Sequence, residues 1–249
     1  YDEALTWFTQ GAERAERLGD LARCAAWGMM AHLFGTTGRL EETRTWLTRI
    51  MELPCTPDTS GQLFWAAERL LQLSRGREQW DGRLRRAHAE KFVAVARHIG
   101  DPARLILALE ASAQVATELG AGRCAIEQLD EAISLVSELG QSERPSLKMA
   151  KAQALVGPQD AEIALRLFRE VAMGTEEPSS LLSVLATALG AARVCGDLVA
   201  QDEILRDTLR AVSRAYSDGR RVDEHVQQLE ELADIAGQLG RFALWAALS

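Results

Sequence analysis

The sequence predicts an all-α fold: a right-handed α-α superhelix of about six antiparallel helix hairpins. Three observations carry that prediction. Apolar residues recur at three- and four-residue steps, as with Ala125, Leu129, Ala132, Ile133, Val136 and Leu139, while Glu127, Asp130, Glu131 and Glu138 take the opposite face. Strand signals are missing, because period-2 alternation never persists and β-branched residues are sparse. Glycines at positions 38, 76, 120, 157, 196 and 240 stand 38, 44, 37, 39 and 44 residues apart. That interval holds two helices of about five turns each and two short turns, the unit of a helical-hairpin array.

The units follow in order. Residues 1–19 form a half repeat, followed by 20–58, 59–100, 101–140, 141–177 and 178–218, with 219–249 a partial unit of the same repeat domain. Between hairpins one phrase recurs, Gly19-Asp20-Leu21-Ala22-Arg23 and Gly100-Asp101-Pro102-Ala103-Arg104. Its glycine ends one helix in the left-handed region, its Asp caps the next helix, and Pro102 occupies a first-turn position where no donor is lost. Gly140 supplies the same left-handed stop after Leu139.

These residues resemble a known repeat. Tyr1-Asp2-Glu3-Ala4-Leu5-x-x-Phe8-x-x-Gly11 resembles the second-helix signature of tetratricopeptide repeats, and Trp27-x2-Met30-Ala31-x2-Phe34 resembles the first-helix signature, with a turn at Gly38 and Pro54 near the closing proline. Ala125-x3-Leu129-x2-Ala132 and Ala164-x3-Phe168-x2-Val171 keep the second-helix spacing. Thr43 stands where the pattern expects Ala, the turn around Gly76 is longer, and the period exceeds the usual one. The long period and the Gly-Asp phrase are also similar to the sensor arrays of bacterial ATP-dependent transcriptional regulators. The resemblance implies a cytoplasmic TPR-like solenoid used for protein-protein interaction in transcription regulation and signal transduction.

Composition sets bounds on function. With 36 Asp+Glu against 28 Lys+Arg the formal net charge is -8, which repels polyphosphate and anionic lipid. Direct nucleic-acid binding and membrane attachment by this segment are therefore not expected. Lys91, Lys148 and Lys151 are the only lysines, so arginine carries nearly all positive charge. Cys24, Cys55, Cys124 and Cys195 lie too far apart for a zinc knuckle or a dense disulfide framework, and read as buried reduced thiols. No stretch approaches the roughly 18 apolar residues of a membrane span.

Catalytic motifs are weak. Gly120-Ala121-Gly122-Arg123-Cys124-Ala125 spells a dinucleotide fingerprint, but a helix precedes it instead of the strand the motif needs, so it reads as an inter-helix turn. His32, His88, His98 and His225 form no metal-ligating pair at i, i+4. Paired acids such as Glu41-Glu42, Glu176-Glu177 and Glu230-Glu231 point apart on a helix and read as solvated charge. The chain is accordingly expected to be neither an enzyme nor a holder of metal or cofactor.

Binding features are better defined. In the turn-glycine register the concave groove would present His32, Glu110, Gln114, Glu118, Arg193, Glu230 and Asp234. Their acidity suggests a basic or amine-bearing ligand, although His32 reads first as structural packing and only second as a switch. A basic patch is formed by Arg75, Arg77, Arg83, Arg85, Arg86 and Lys91 around Trp80, set against Glu78, Asp81 and Glu90. It would hold phosphate or an acidic segment, or simply be a solvated helix face. Trp7, Trp27, Trp46 and Trp65, spaced by about one helix, read as core packing, and Trp80 as exposed.

Two functions of different class follow. The first is a non-catalytic recognition scaffold that binds a protein, peptide or small effector in its groove as the sensor or interaction segment of a larger bacterial regulatory protein. The alternative is a structural array for self-association. Tyr1 to Gly11 matches only the second half of a repeat, and Trp7, Phe8, Phe242 and Trp245 would leave apolar surface at both ends. The chain is therefore expected to be a segment of a longer multi-repeat protein.

Overall fold

Three turns between described helices are built from a left-handed glycine and an acidic cap. Gly100 has φ +73°, a conformation that L side chains rarely adopt, and its N–H bonds the carbonyl of Ala96 to close the helix before it. Asp101 then accepts from the backbone N–H of Ala103 at 3.0 Å, and Pro102 opens the next helix. Asp20 does the same for Arg23 at 3.0 Å after the left-handed Gly19. Asp197 repeats the arrangement with Ala200 at 2.9 Å after the left-handed Gly196.

A computed structural model describes residues 2–35, 40–74, 81–142, 144–156, 160–175 and 178–217. Among them are eleven α-helices and no strand. They divide into two compact units, Tyr1–Leu139 and Gly140–Ser249. The first holds α1 (Asp2–Arg17), α2 (Leu21–Gly35), α3 (Leu40–Glu52), α4 (Ser60–Ser74), α5 (Gly82–Ile99), α6 (Pro102–Glu118) and α7 (Gly122–Glu138). The second holds α8 (Pro145–Ala154), α9 (Ala161–Met173), α10 (Pro178–Val194) and α11 (Leu198–Ser217). The all-α solenoid expected from the sequence is the observed class.

Within the first unit each helix packs on the next, and α2, α4 and α6 also touch one another in succession. The even helices therefore form one layer, with odd helices behind them. Small residues set how closely paired helices approach. A Cβ placed on Gly11 would lie 2.3 Å from Cε3 of Trp27, so α1 and α2 cross against an indole face at that position. Gly28 is looser, with Ile50 atoms at 3.2 Å.

The core lies between the layers. Leu63, Leu70, Phe92, Ile106, Leu109 and Leu129 are fully buried in the first unit, each contributing about 1.5–3 kcal/mol by removal from water. Phe64 and Phe92 meet across α4 and α5 with ring centroids 4.7 Å apart. The second-helix motifs lie inside, with Ala125, Leu129 and Ala132 buried in one unit and Ala164, Phe168 and Val171 in the other. Thr43, which replaces the expected Ala, is also buried, and its hydroxyl has no hydrogen-bond partner.

Outer helices are linked by a repeated Arg-Glu pair. Arg49 on α3 reaches Glu16 on α1 at 2.9 Å, and Arg97 on α5 grips both oxygens of Glu131 on α7 at 2.9 and 2.8 Å. Arg169 on α9 pairs likewise with Glu203 on α11 in the second unit. These side chains are substantially solvated, so they set register more than they add stability. In the second unit α8, α9, α10 and α11 pack in sequence and α8 touches α10. Leu147, Leu189 and Leu205 form its buried centre.

Two sequence expectations are corrected. Of the four cysteines, all free thiols, only Cys24 is buried; Cys55, Cys124 and Cys195 are partly exposed. Burial and the nearby Glu16 carboxylate push the Cys24 thiol up from its ordinary range. The expectation that the tryptophans pack between successive helices fails at Trp7, which is 65% exposed, whereas Trp27 packs on Phe8 and Gly11 of α1 and, like Trp46 and Trp65, is half-buried. An indole on a helix flank keeps one edge wet, and Trp46 carries the Arg49 guanidinium 4.8 Å above its ring.

Candidate functional site

Alternate helices of one layer place equivalent positions side by side. The sixth, ninth and thirteenth residues of α4 are Trp65, Glu68 and Gln72; the same positions of α6 are Leu107, Glu110 and Gln114. Both helices thus carry a large apolar residue, a carboxylate and an amide along one flank, at steps of three and four residues. All six side chains are exposed or half-buried, while the flanks facing the odd helices hold Leu63, Ala67 and Leu70 on α4 and Ile106, Leu109 and Ala113 on α6. Because α4 and α6 touch, the two rows lie on neighbouring helices of one layer.

Local hydrogen bonds pre-orient these groups. Arg69 donates to Gln72 at 2.8 Å, and the Gln72 amide donates to Glu68 at 3.4 Å. Gln114 donates to Glu118 at 3.3 Å. Glu110 makes no ion pair among the described residues, so its charge faces outward from between Leu107 and Gln114. The surface can offer carboxylates to a cation, amides to a peptide backbone and two broad apolar contacts.

Three expected groove residues, Glu110, Gln114 and Glu118, therefore share one flank of α6. Glu118 has a second partner, because Arg85 on α5 forms an ion pair with it. The sequence reading placed Arg85 in a separate basic patch; the structure joins the two sets. Arg85 is 8% exposed and its Nε has no hydrogen-bond partner, so the Glu118 carboxylate offsets a nearly buried charge. Arg86 pairs with Glu90 at 2.9 Å, Arg83 is exposed, and Lys91 donates to the carbonyls of Met51 and Leu53 at the end of α3. Arg193 lies exposed on α10 in the second unit. Arg75, Arg77, Trp80, Glu230 and Asp234 and the His32 side chain lie outside the described residues.

Glu68 and Gln72 were not singled out from sequence, and Trp65 was read there as core packing. Their signal was the spacing shared with Leu107, Glu110 and Gln114, hidden by the longer turn around Gly76. His88 is a further buried polar group: it is 7% exposed, its Nδ1 is unpartnered, and burial followed by the Lys91 charge lowers its pKa below the ordinary range. Among the described residues no cluster of three or more His, Cys, Asp or Glu is arranged to hold a metal ion. None of the described helices is long and apolar enough to cross a membrane.

No protein-family model and no curated protein matches the chain. Solved structures do. BtubC (BKLC) from P. vanneervenii is 15% identical with a TM-score of 0.57, over 88% of this chain and 93% of its own. The nearly identical TPR-like repeats of a chain described as a Podosopora anserina kinesin light chain are 16% identical with a TM-score of 0.57, over 78% and 97%. A variant of that chain gives 17% identity and a TM-score of 0.58 over 80% and 97%. At these identities the likeness is one of fold, and the fold is the TPR-like helical repeat.

Proposed function

We propose that the chain is a non-catalytic interaction scaffold and that the α4–α6 face of its first unit binds a protein or peptide segment bearing Lys or Arg. The observation that carries this reading is the repeated apolar, Glu and Gln row on two adjacent helices of one layer. Two carboxylates at matched positions attract cationic side chains, while Trp65 and Leu107 supply the apolar area that gives such a surface its affinity. The TPR-like fold of the structural neighbours supports a scaffold role. A setting within a larger regulatory protein rests on the sequence resemblance to sensor arrays.

The test begins with selection from a random peptide library displayed on phage, followed by affinity measurement for the enriched peptides. Peptides containing Lys or Arg next to an apolar residue should be enriched, and Glu68→Gln and Glu110→Gln should each weaken binding about tenfold, the loss of roughly 1.4 kcal/mol expected for one charge-assisted contact. Enrichment of acidic peptides, or variants that bind as tightly as the unaltered chain, would refute the assignment.

Self-association remains a second reading because Trp7 on α1 and Leu18 in the turn after it are exposed, at 65% and 74%. It predicts a concentration-dependent dimer in sedimentation velocity that Trp7→Ala abolishes.

A further inference from the structure

The second unit contains a cavity that the interaction face does not use. It lies between the C-terminal part of α9, the N-terminal and middle turns of α10 and the middle of α11, and has a volume of about 390 Å³. Its walls are Leu165, Phe168, Leu181, Leu185 and Ile204, and it stays open because Ala172, Ala188 and Ala211 meet there from the three helices. Depressions of about 460 Å³ beside α9 and about 330 Å³ between α1 and α2 are bordered by a larger share of charged side chains, so what distinguishes this one is its predominantly aliphatic and aromatic lining. This half-open volume falls within the range of small-molecule sites.

The rim decides what chemistry fits. Four charged groups border the cavity, and they neutralise each other in pairs: Arg169 with Glu203 across α9 and α11, and Arg210 with Asp207 at 2.9 Å along α11. A charged occupant would find no unmatched counter-charge and would lose its hydration without return. We infer that this cavity binds a neutral, apolar small molecule of aromatic or short aliphatic character.

Nile red, a neutral apolar dye, tests the site in the full chain. The expected result is saturable, blue-shifted fluorescence at one dye per chain, with Ala188→Leu and Ala211→Leu each weakening binding about tenfold or more by filling the volume. Trp7→Ala should leave binding unchanged, since the exposed indole belongs to the other unit. Circular dichroism checks that each variant is folded; should the two Leu variants fail that check, Ala172→Leu at the half-exposed mouth gives the same readout. Absence of saturable binding, undiminished affinity in the filled variants, loss in Trp7→Ala, or equally tight binding of the anionic dye ANS would overturn the proposal. So would a dimer that Ala188→Leu or Ala211→Leu dissociates, which would assign the cavity to a second copy of the chain.

Discussion

Replacing Gly11 by alanine tests the close crossing of α1 and α2. Alanine within an exposed helix is favoured over glycine by about 1 kcal/mol, because glycine loses more backbone entropy on folding. At Gly11 the new methyl would sit 2.3 Å from Cε3 and 2.6 Å from Cδ2 of Trp27. Carbon atoms prefer about 3.5–4.0 Å, and a planar indole cannot yield by more than an Ångström without moving the helix that carries it. Overpacking of that kind costs about 1–3 kcal/mol or more, so the steric term outweighs the propensity gain and net destabilisation of about 1–2 kcal/mol is expected. Gly190, inside α10, has nothing within 4 Å of its added Cβ, and Gly190→Ala should stabilise by about 1 kcal/mol. Urea unfolding followed by tryptophan fluorescence and circular dichroism measures both. A Gly11→Ala protein as stable as Gly190→Ala would refute the crossing.

Three other outcomes follow from buried polar groups. Thr43→Val keeps the shape and removes a buried hydroxyl with no partner, so the urea midpoint should rise, by about 1 kcal/mol of stability. Glu118→Gln should cost about 2 kcal/mol because it leaves the buried Arg85 guanidinium uncompensated, whereas Glu131→Gln, whose Arg97 partner is 56% exposed, should cost under about 1 kcal/mol; urea unfolding of both variants ranks them. His88 is held neutral, so below about pH 6.5 the unfolded chain takes up a proton that the folded chain resists. Stability should be level above that pH and fall below it, by at most about 1.4 kcal/mol per pH unit from this group; unfolding curves at pH 5.0 to 7.5 should lose that component in His88→Leu.

The hairpin array was legible because its rules are local. A Gly-Asp phrase specifies a left-handed stop and a cap without knowledge of anything distant, and Gly19, Gly100 and Gly140 all have positive φ. The Ala-x3-Phe and Ala-x3-Leu steps fixed which face is buried. What failed to show in the sequence depends on partners far along the chain. Arg85 and Glu118 stand 33 residues apart, and nothing near either one announces their pairing. Alanines at 172, 188 and 211 read as ordinary close-packing residues, yet in three dimensions they outline a cavity. The tryptophans were read from their spacing of about one helix, which does not tell an exposed flank such as that of Trp7 from a packed one such as that of Trp27. Thr43 carried a usable signal, since its departure from the repeat pattern coincides with a buried, unpartnered hydroxyl.

Site-specific photo-crosslinking reaches the central claim most directly. A benzoylphenylalanine placed at Leu107, on the proposed face of α6, should crosslink to a selected Lys- or Arg-bearing peptide, and excess unlabelled peptide should suppress the product. The same probe at Ala94, exposed on the outer helix α5, should give none. Crosslinking from Ala94 and silence from Leu107 would place recognition on the odd-helix side and contradict the account.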